Sequence, residues 1–148
     1  MTEVVVDAST ALAWCFPDET SGYADSVLVA LEGTTMLVPS IWGLEVANAL
    51  SVGERSKRLR QLEIGQFLAL LSNLRISQDL QTVGEYVGDI LPITRDYGLS
   101  AYDASYLELA LRHSAPQATL DLKLKKAAKR AGARILSMQS RNVLISAK

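Results

Sequence analysis

The sequence predicts an α/β fold, an α/β/α sandwich around a mostly parallel sheet. Short runs of β-branched residues alternate with longer segments of helical period, and this alternation is typical of parallel strands joined by helices. The first run, Val4–Val6, is wholly apolar, as expected of a buried strand. The 148 residues, 49% of them hydrophobic, suffice for one core and are too few for two. We therefore expect a single domain over residues 1–148.

Strands and helices are predicted in alternation along the chain. The predicted strands are Val4–Val6, Thr35–Val38, Leu74–Ser77, Ala118–Leu120 and Arg134–Leu136. The predicted helices are Ala8–Cys15, Gly22–Leu31, Ile41–Val52, Leu59–Leu71, Thr82–Tyr97, Ala101–His113 and Leu122–Arg130. Gly98 and Gly132 follow two of the helices, where glycine commonly ends a helix in the left-handed conformation. Pro39 and Ser40 are a predicted N-cap for the third helix, and Pro92 predicts a kink or a split in the fifth.

Charge and cysteine content exclude several classes of protein. The net charge of −1 is unlike that of a basic nucleic-acid coat or an acidic disordered tail, so a charged partner must meet a local patch. Cys15 is the sole cysteine, which excludes an internal disulfide and argues against a cysteine-based zinc site. The N-terminus lacks a basic stretch ahead of an apolar one, and no apolar run reaches the roughly 18 residues of a membrane span. We therefore expect a cytoplasmic protein outside the membrane.

Four acidic residues occupy positions that a parallel sheet brings to one edge. Asp7 and Asp121 directly follow predicted strands, Glu45 lies in the opening turns of the third helix, and Asp103 lies in the first turn of the sixth. The carboxyl ends of parallel strands and the N-termini of the following helices share the edge at which ligands bind. We therefore expect these four side chains to meet there.

Helix capping is the alternative explanation for three of these acids. Asp7 and Asp121 precede helices, where aspartate is a good N-cap. The segment from Ser100 to Asp103 resembles a capping box with aspartate in the usual place of glutamate. For each acid taken singly, the sequence leaves capping and ligand binding open.

Helical geometry favours a functional role for Asp103 and Glu45. Successive steps of three and four residues from Asp103 lead to Tyr106, Leu107, Ala110 and Leu111, an apolar stripe predicted to face the core. On the opposite, solvent-facing side we expect an ion pair between Glu108 and Arg112. The neighbours of Glu45 at the same spacings are Ile41, Trp42, Asn48 and Ala49. A charge on a largely apolar face is costly unless it is paired.

A divalent metal ion is the predicted partner of these acids. The surrounding segments supply no buried-looking Lys or Arg, and an ion removes the repulsion between clustered carboxylates. Oxygen ligands alone favour Mg2+ or Mn2+. We expect the lone His113 to be an ordinary helix-end residue, which leaves hydrolysis by metal-activated water, with phosphodiesters as natural substrates. Ser9 and Thr119 either orient a ligand or water at this site or cap the backbone.

A family resemblance rests on the same positions. The segments VVVDAS, LEVANAL, LSAYDASYLELA and ATLDLKLKKAA, in this order, resemble the PIN-domain ribonucleases, in particular the VapC toxins of type II toxin–antitoxin pairs. The resemblance implies an α/β/α sandwich that binds Mg2+ or Mn2+ and hydrolyses RNA. The residues that match the family's acidic quartet are Asp7, Glu45, Asp103 and Asp121. The residues that match its supporting polar positions are Ser9, Asn48 and Thr119.

The resemblance also implies partners. A VapC-like protein is expected to form a homodimer and to bind a cognate antitoxin whose C-terminal segment follows the active-site groove, often with a basic side chain toward the acids. Some PIN proteins carry a further acid after the last one of the quartet, and this chain has none after Asp121, which leaves one or two bound metals open. Trp14, Phe16 and Trp42 are either part of an apolar docking surface or part of the core.

Two basic segments and three other classes of protein complete the sequence-based hypotheses. Residues 54–60 and 122–130 either follow a phosphate backbone or are solvated surface. A receiver-like signalling module needs an adjacent acidic pair at the first strand, where Glu3 and Asp7 are separated by the strand itself. A haloacid-dehalogenase-type phosphatase needs an aspartate at position 9, which is serine here. A catalytically silent PIN-like module is less favoured because all four acids are intact.

Overall fold

Four parallel strands form the central sheet of the computed structural model, which describes residues 2–139 and 142–145. The strands are β1 (Glu3–Val6), β2 (Thr35–Val38), β3 (Ile76–Gln78) and β4 (Gln117–Ala118). Their order across the sheet is β3-β2-β1-β4. In register, Val4 of β1 is paired with Met36 of β2, and Val5 with Gln117 of β4. The predicted α/β/α sandwich around a mostly parallel sheet is confirmed.

Helices alternate with these strands, as the sequence predicts. They are α1 (Ala8–Leu12), α2 (Gly22–Ala30), α3 (Trp42–Arg55), α4 (Gln61–Ser72), α5 (Val83–Tyr97), α6 (Ala101–His113) and α7 (Leu122–Arg130). A single 3₁₀ turn, Pro17–Glu19, follows α1 in the described chain. Helix α6 packs on strands β1, β2 and β4 and contacts helices α5 and α7. None of the helices in the described residues is long and apolar enough to cross a membrane.

The core is centred on β1 and α6. Val4, Val5 and Val6 are fully buried because β1 has a strand on each side and helices above it. The stripe predicted on α6 is buried at Tyr106, Leu107 and Ala110, whereas Leu111 at the end of the stripe is exposed and that part of the prediction is wrong. The position of Asp103 is thereby fixed, because α6 is anchored on the sheet along most of its length.

Local capping chemistry sets where several elements begin and end. Ser21, Thr82 and Ser100 accept hydrogen bonds from backbone amides in the first turns of α2, α5 and α6. Gly98 ends α5 with φ +63°, and Gly132 follows α7 with φ +85°, so both glycines adopt the predicted left-handed conformation.

Three details of the predicted helices differ from the structure. Of the kink or split predicted at Pro92, the split does not occur, because α5 continues through this residue as one helix. Ser40 does not cap α3, because Ile41 is the N-cap residue and no side chain caps that end. Helix α1 ends at Leu12 rather than Cys15, and a turn leads from it to the 3₁₀ segment.

The predicted fifth strand, Arg134–Leu136, is also wrong in part. Ile135 makes only an isolated parallel bridge to Gln117 beside β4. Strand β5 (Leu136–Gln139) instead pairs with β6 (Asn142–Ile145) in an antiparallel two-stranded sheet. Helix α2 contacts both strands. Strand β6 was not predicted, because the second sheet is specified by this pairing and not by the alternation of helices and strands.

The strand order creates a switch point beside Asp7. From β1 the chain adds β2 and then β3 on one side, while β4 lies on the other side of β1. In an open parallel sheet, the crevice for a ligand lies at the carboxyl ends of the strands where the order reverses. That crevice is flanked here by the ends of β1 and β4.

Candidate active site

Asp7 is a buried carboxylate at the end of β1, with 3% of its surface exposed. Its Oδ1 accepts hydrogen bonds from Ser9 Oγ (3.0 Å), from the Thr10 amide (3.0 Å) and from Thr10 Oγ1 (2.8 Å). Its Oδ2 accepts one from Thr119 Oγ1. Burial raises the pKa of Asp7, and these hydrogen bonds, that of Thr119 foremost, act in the opposite direction. The Asp7 carboxyl group is thus held in place by neutral donors.

Thr119 connects Asp7, at the end of β1, to the end of β4. It is buried, follows β4, and accepts a 2.9 Å hydrogen bond from the amide of Asp121 while donating to Asp7. Asp121 itself accepts from the Leu124 amide at 3.1 Å. Capping and site formation therefore coincide, because Asp7 and Asp121 are N-caps of α1 and α7 and also lie at the ligand-binding edge.

Glu45 reaches the site from the first turn of α3. It is half-buried, and its Oε1 accepts a 2.5 Å hydrogen bond from the Tyr106 hydroxyl. Burial raises the pKa of Glu45, the Tyr106 hydrogen bond lowers it, and the charges of Asp103 and Asp7 raise it further. The electrostatic effect of both aspartates on Glu45 brings this acid into the predicted cluster.

Asp103 is the fourth member of the cluster. Its amide donates to Ser100 Oγ at 3.1 Å in the first turn of α6. Burial raises the pKa of Asp103, the charges of Asp121 and Asp7 raise it further, and Lys123 lowers it. The charges of Asp7 and Asp103 thus act on Glu45, and those of Asp7 and Asp121 act on Asp103. We refer to Asp7, Glu45, Asp103 and Asp121 as the acidic cluster.

The donors of the acidic cluster suit a hard divalent cation. Among residues 2–139 and 142–145, no three Asp, Glu, His or Cys side chains are already arranged as a metal cage. The donors present are carboxylate oxygens, which Mg2+ and Mn2+ prefer, and the elevated pKa values reflect burial and repulsion that a cation would offset. The residues present fit such an ion.

The supporting residues have different outcomes. Ser9 and Thr119 both contact Asp7 directly. Asn48 is exposed on α3, and none of the hydrogen bonds described for the chain joins it to the acidic cluster. Thr10, which donates to Asp7, was not predicted as a site residue. Tyr106 was predicted only as a core residue, although its spacing of three from Asp103 indicates that it shares that face of α6.

Of the two interpretations left open for Trp14, Phe16 and Trp42, the structure favours the core. Phe16 and Trp42 are buried, and the half-buried Trp14 donates its indole N–H to the Ala24 carbonyl at 2.8 Å. The predicted pair of Glu108 and Arg112 is present at 2.8 Å, but Glu108 is buried rather than solvent-facing. Asp79 also binds Arg112, at 2.6 Å, and the network explains how a buried carboxylate is tolerated there.

The two basic segments differ in their surroundings. In residues 54–60, Arg58 is engaged by Asp18 and Glu19 at 2.9 and 2.6 Å and lies 4.4 Å from the centroid of the Phe16 ring. In residues 122–130, Lys123 is exposed and acts on Asp103. Helix α7 therefore brings positive charge next to the acidic cluster, while Arg58 is occupied by local ion pairs.

A parallel sheet with an acidic cluster at its switch point is the arrangement expected of the PIN-domain nucleases. The PIN domain family model matches residues 4–130. The chain belongs to the PIN domain family. Ribonuclease VapC3 of Pyrobaculum aerophilum is 29% identical over 122 residues, which cover 82% of this chain and 92% of that protein. The predicted resemblance to PIN-domain and VapC proteins is confirmed.

Solved structures share the fold at low sequence identity. PAE2754 from Pyrobaculum aerophilum matches with a TM-score of 0.63 and 24% identity, over 85% of this chain and 79% of that one. VapBC2 from Rickettsia felis, solved bound to a DNA fragment from its promoter, matches with a TM-score of 0.58 and 16% identity, over 85% of this chain and 93% of that one. FitAcB from Neisseria gonorrhoeae matches with a TM-score of 0.57 and 19% identity, over 85% of this chain and 93% of that one. These likenesses establish the sandwich architecture.

Proposed function

We propose that this protein is a metal-dependent endoribonuclease that acts as the toxin of a toxin–antitoxin pair and hydrolyses RNA phosphodiester bonds with Mg2+ or Mn2+. The observation that carries the proposal is the acidic cluster at the switch point of the sheet, in a chain of the PIN family. The name of the VapC3 relative, a ribonuclease, supports RNA as the substrate.

Asp7, Asp103 and Asp121 would hold the metal ion, with Glu45 as a further ligand or acting through water. When bound, the ion would lower the pKa of a water molecule so that hydroxide is available near neutral pH, and would polarise the scissile phosphate. The chain contributes the alignment of these ligands, since buried hydroxyl donors fix the Asp7 carboxylate before any ion arrives. Phosphate oxygens of the substrate would complete the coordination.

Helix α7 would contribute to substrate binding. Lys123 lies beside Asp103, and the lysines that follow along α7 extend the positive charge away from the acidic cluster. A phosphate backbone that enters the crevice would meet this charge, which offsets its repulsion by the acids. We include residues 122–130 in the proposed RNA-binding surface and leave out Arg58, which its ion pairs occupy.

The proposed partners follow from the relatives. VapBC2 and FitAcB are similar to this chain in fold, and the VapC proteins that the chain resembles belong to toxin–antitoxin pairs. We propose that this protein likewise acts in the cytoplasm, forms a homodimer, and is inhibited by a cognate antitoxin that presents a basic side chain to the acidic cluster. Light scattering of the purified chain tests the homodimer, since a monomeric mass at micromolar concentration contradicts it.

Cleavage of a panel of structured RNAs by the purified protein, with Mg2+, with Mn2+ and with EDTA, tests the activity. We expect cutting with either metal, none with EDTA, and none by Asp103→Asn. Asp96→Asn is the matched control, because Asp96 is an exposed aspartate on the neighbouring helix α5. Cutting that persists in EDTA, or in Asp103→Asn, refutes the proposed chemistry. If the protein binds Mn2+ but cuts no RNA, the result favours a catalytically silent PIN-like module over a nuclease.

A further inference from the structure

Tyr106 is a buried tyrosine whose hydroxyl is directed at the acidic cluster. Its side chain is 2% exposed on α6, one turn after Asp103, and the ring belongs to the hydrophobic core. The hydroxyl donates a 2.5 Å hydrogen bond to Oε1 of Glu45 on α3. Such a contact between a buried hydroxyl and a carboxylate is a strong, orienting hydrogen bond.

Burial and the neighbouring Glu45 carboxylate both raise the pKa of Tyr106, so its hydroxyl keeps the proton that it donates. This hydroxyl therefore links α3 and α6, the two helices that carry Glu45 and Asp103. The ring is fixed by core packing, so the position of the hydroxyl is fixed with it.

Glu45 needs such a constraint more than the aspartates do. Asp7 and Asp121 are held as N-caps by nearby backbone amides, whereas the longer Glu45 side chain is only half-buried and has more rotatable bonds. In the described hydrogen bonds of Glu45, Tyr106 is the side-chain donor, and it binds Oε1. That contact leaves Oε2 to interact with a ligand in the crevice.

We propose that Tyr106 is a positioning residue for the nuclease site: its hydroxyl orients the Glu45 carboxylate toward the bound metal ion and water. The inference rests on the proposed function and adds a residue outside the acidic quartet. A purely structural role is the competing explanation, in which the hydroxyl needs Glu45 only as an acceptor for a buried polar group. The two roles differ in whether metal affinity depends on the hydroxyl.

Tyr106→Phe separates the two roles, since phenylalanine keeps the ring and removes the hydrogen bond. We expect Mn2+ affinity, measured by titration calorimetry, to fall by about tenfold, as when other residues that orient metal ligands are removed. For RNA cleavage, we expect kcat to fall by a larger factor than the factor by which KM changes. Tyr102→Phe is the matched control, because Tyr102 lies on the same helix and is 61% exposed. A lower melting temperature with unchanged Mn2+ affinity overturns the proposal.

A double-mutant cycle with Glu45→Gln tests whether Tyr106 acts through Glu45. We expect Tyr106→Phe to weaken Mn2+ binding no further once Glu45 is Gln; losses that multiply overturn the proposal. If Tyr106→Phe does not fold, Glu45→Asp provides the same test, because the shorter side chain keeps the charge and withdraws it from the hydroxyl. Wild-type Mn2+ affinity in Glu45→Asp is then the contrary result. Wild-type protein that neither binds Mn2+ nor cuts RNA refutes the proposed function itself, and the positioning role with it.

Discussion

The Thr119 hydroxyl donates to Oδ2 of Asp7 across 112 positions of the chain. The Thr119 hydroxyl oxygen also accepts a hydrogen bond from the amide of Asp121, so this one buried side chain joins the ends of β1 and β4. Because these strands are neighbours at the switch point of the sheet, this contact sets the spacing of two members of the acidic cluster. The strand order therefore places Asp7 and Asp121 close together, and the Thr119 hydroxyl fixes their relative position.

Thr119→Val is expected to damage both stability and activity. Valine has the shape of threonine but leaves the Asp121 amide without its acceptor and Oδ2 of Asp7 without its donor. The loss of a buried partner costs about 1–3 kcal/mol of the free energy of unfolding. Urea unfolding in EDTA measures this cost, and RNA cleavage should fall with it. Thr119→Ser retains the hydroxyl and should remain near wild type; equal stability of the Val and Ser variants contradicts the argument.

Asp7→Asn is expected to stabilise the metal-free protein at neutral pH. Burial raises the folded pKa of Asp7 above its ordinary value of 3.8, so the folded state holds this proton more tightly than the unfolded state does. The contribution of Asp7 to stability is then greatest below pH 3.8 and is lost as the pH rises through the folded pKa. Asparagine lacks this loss.

Melting temperatures in EDTA from pH 4 to pH 8 test this sign. The gain of Asp7→Asn over wild type should grow with pH, while Asp25→Asn, an exposed aspartate on α2, should show no such trend. RNA cleavage by Asp7→Asn should be absent under all conditions. A variant less stable than wild type at pH 8 would show that the hydrogen bonds to the carboxylate outweigh its burial.

The sequence predicts the acidic cluster because the carboxyl ends of parallel strands and the starts of the following helices share one edge of the sheet, and its role as a metal site stays a prediction. Asp7 and Asp121 follow from the strands they end, and Asp103 from the apolar stripe it continues. The hydroxyl of Tyr106 could not be assigned to the cluster in this way. Its stripe position is equally that of a core residue, and only the packing of α3 against α6 determines whether it reaches Glu45.

The errors elsewhere have a similar cause. Whether Glu108 is solvated depends on Arg112 and Asp79, the latter 29 positions earlier in the chain, folding over it. The antiparallel pair of β5 and β6 depends on their pairing with each other and on contact with α2. Helical period reports which residues lie on one face, and it does not report which other segment covers that face.

Binding of Mn2+ is expected to raise the melting temperature through the acidic cluster. An ion that binds only the folded state adds about 2.7 kcal/mol of stability at a concentration one hundred times its Kd. Glu45→Gln should reduce the metal-induced shift, and Glu54→Gln, an exposed glutamate on the same helix, should preserve it. Equal shifts in the two variants would remove Glu45 from the metal site.

Gly53→Ala is expected to destabilise the fold away from the site. A Cβ at Gly53 would lie 2.8 Å from two atoms of the Phe16 ring and 2.9 Å from Leu59, so the buried ring must shift. Overpacking of this kind costs about 1–3 kcal/mol. Gly43→Ala on the same helix meets no atom within 4 Å and should gain up to about 1 kcal/mol. Urea unfolding should therefore give opposite signs for the two variants.

Lys123→Gln is expected to weaken RNA binding and leave the hydrolytic step largely intact. Lys123 is exposed on the first turn of α7, and its charge lowers the pKa of Asp103. Removal of one phosphate contact should raise KM and reduce the slope of log affinity against log salt by about one. The pKa of Asp103 should rise as well, which moves the onset of cleavage to higher pH.

Lys57→Gln, in the other basic segment, is the matched control. A salt slope equal to that of wild type in Lys123→Gln would place the RNA elsewhere on the surface.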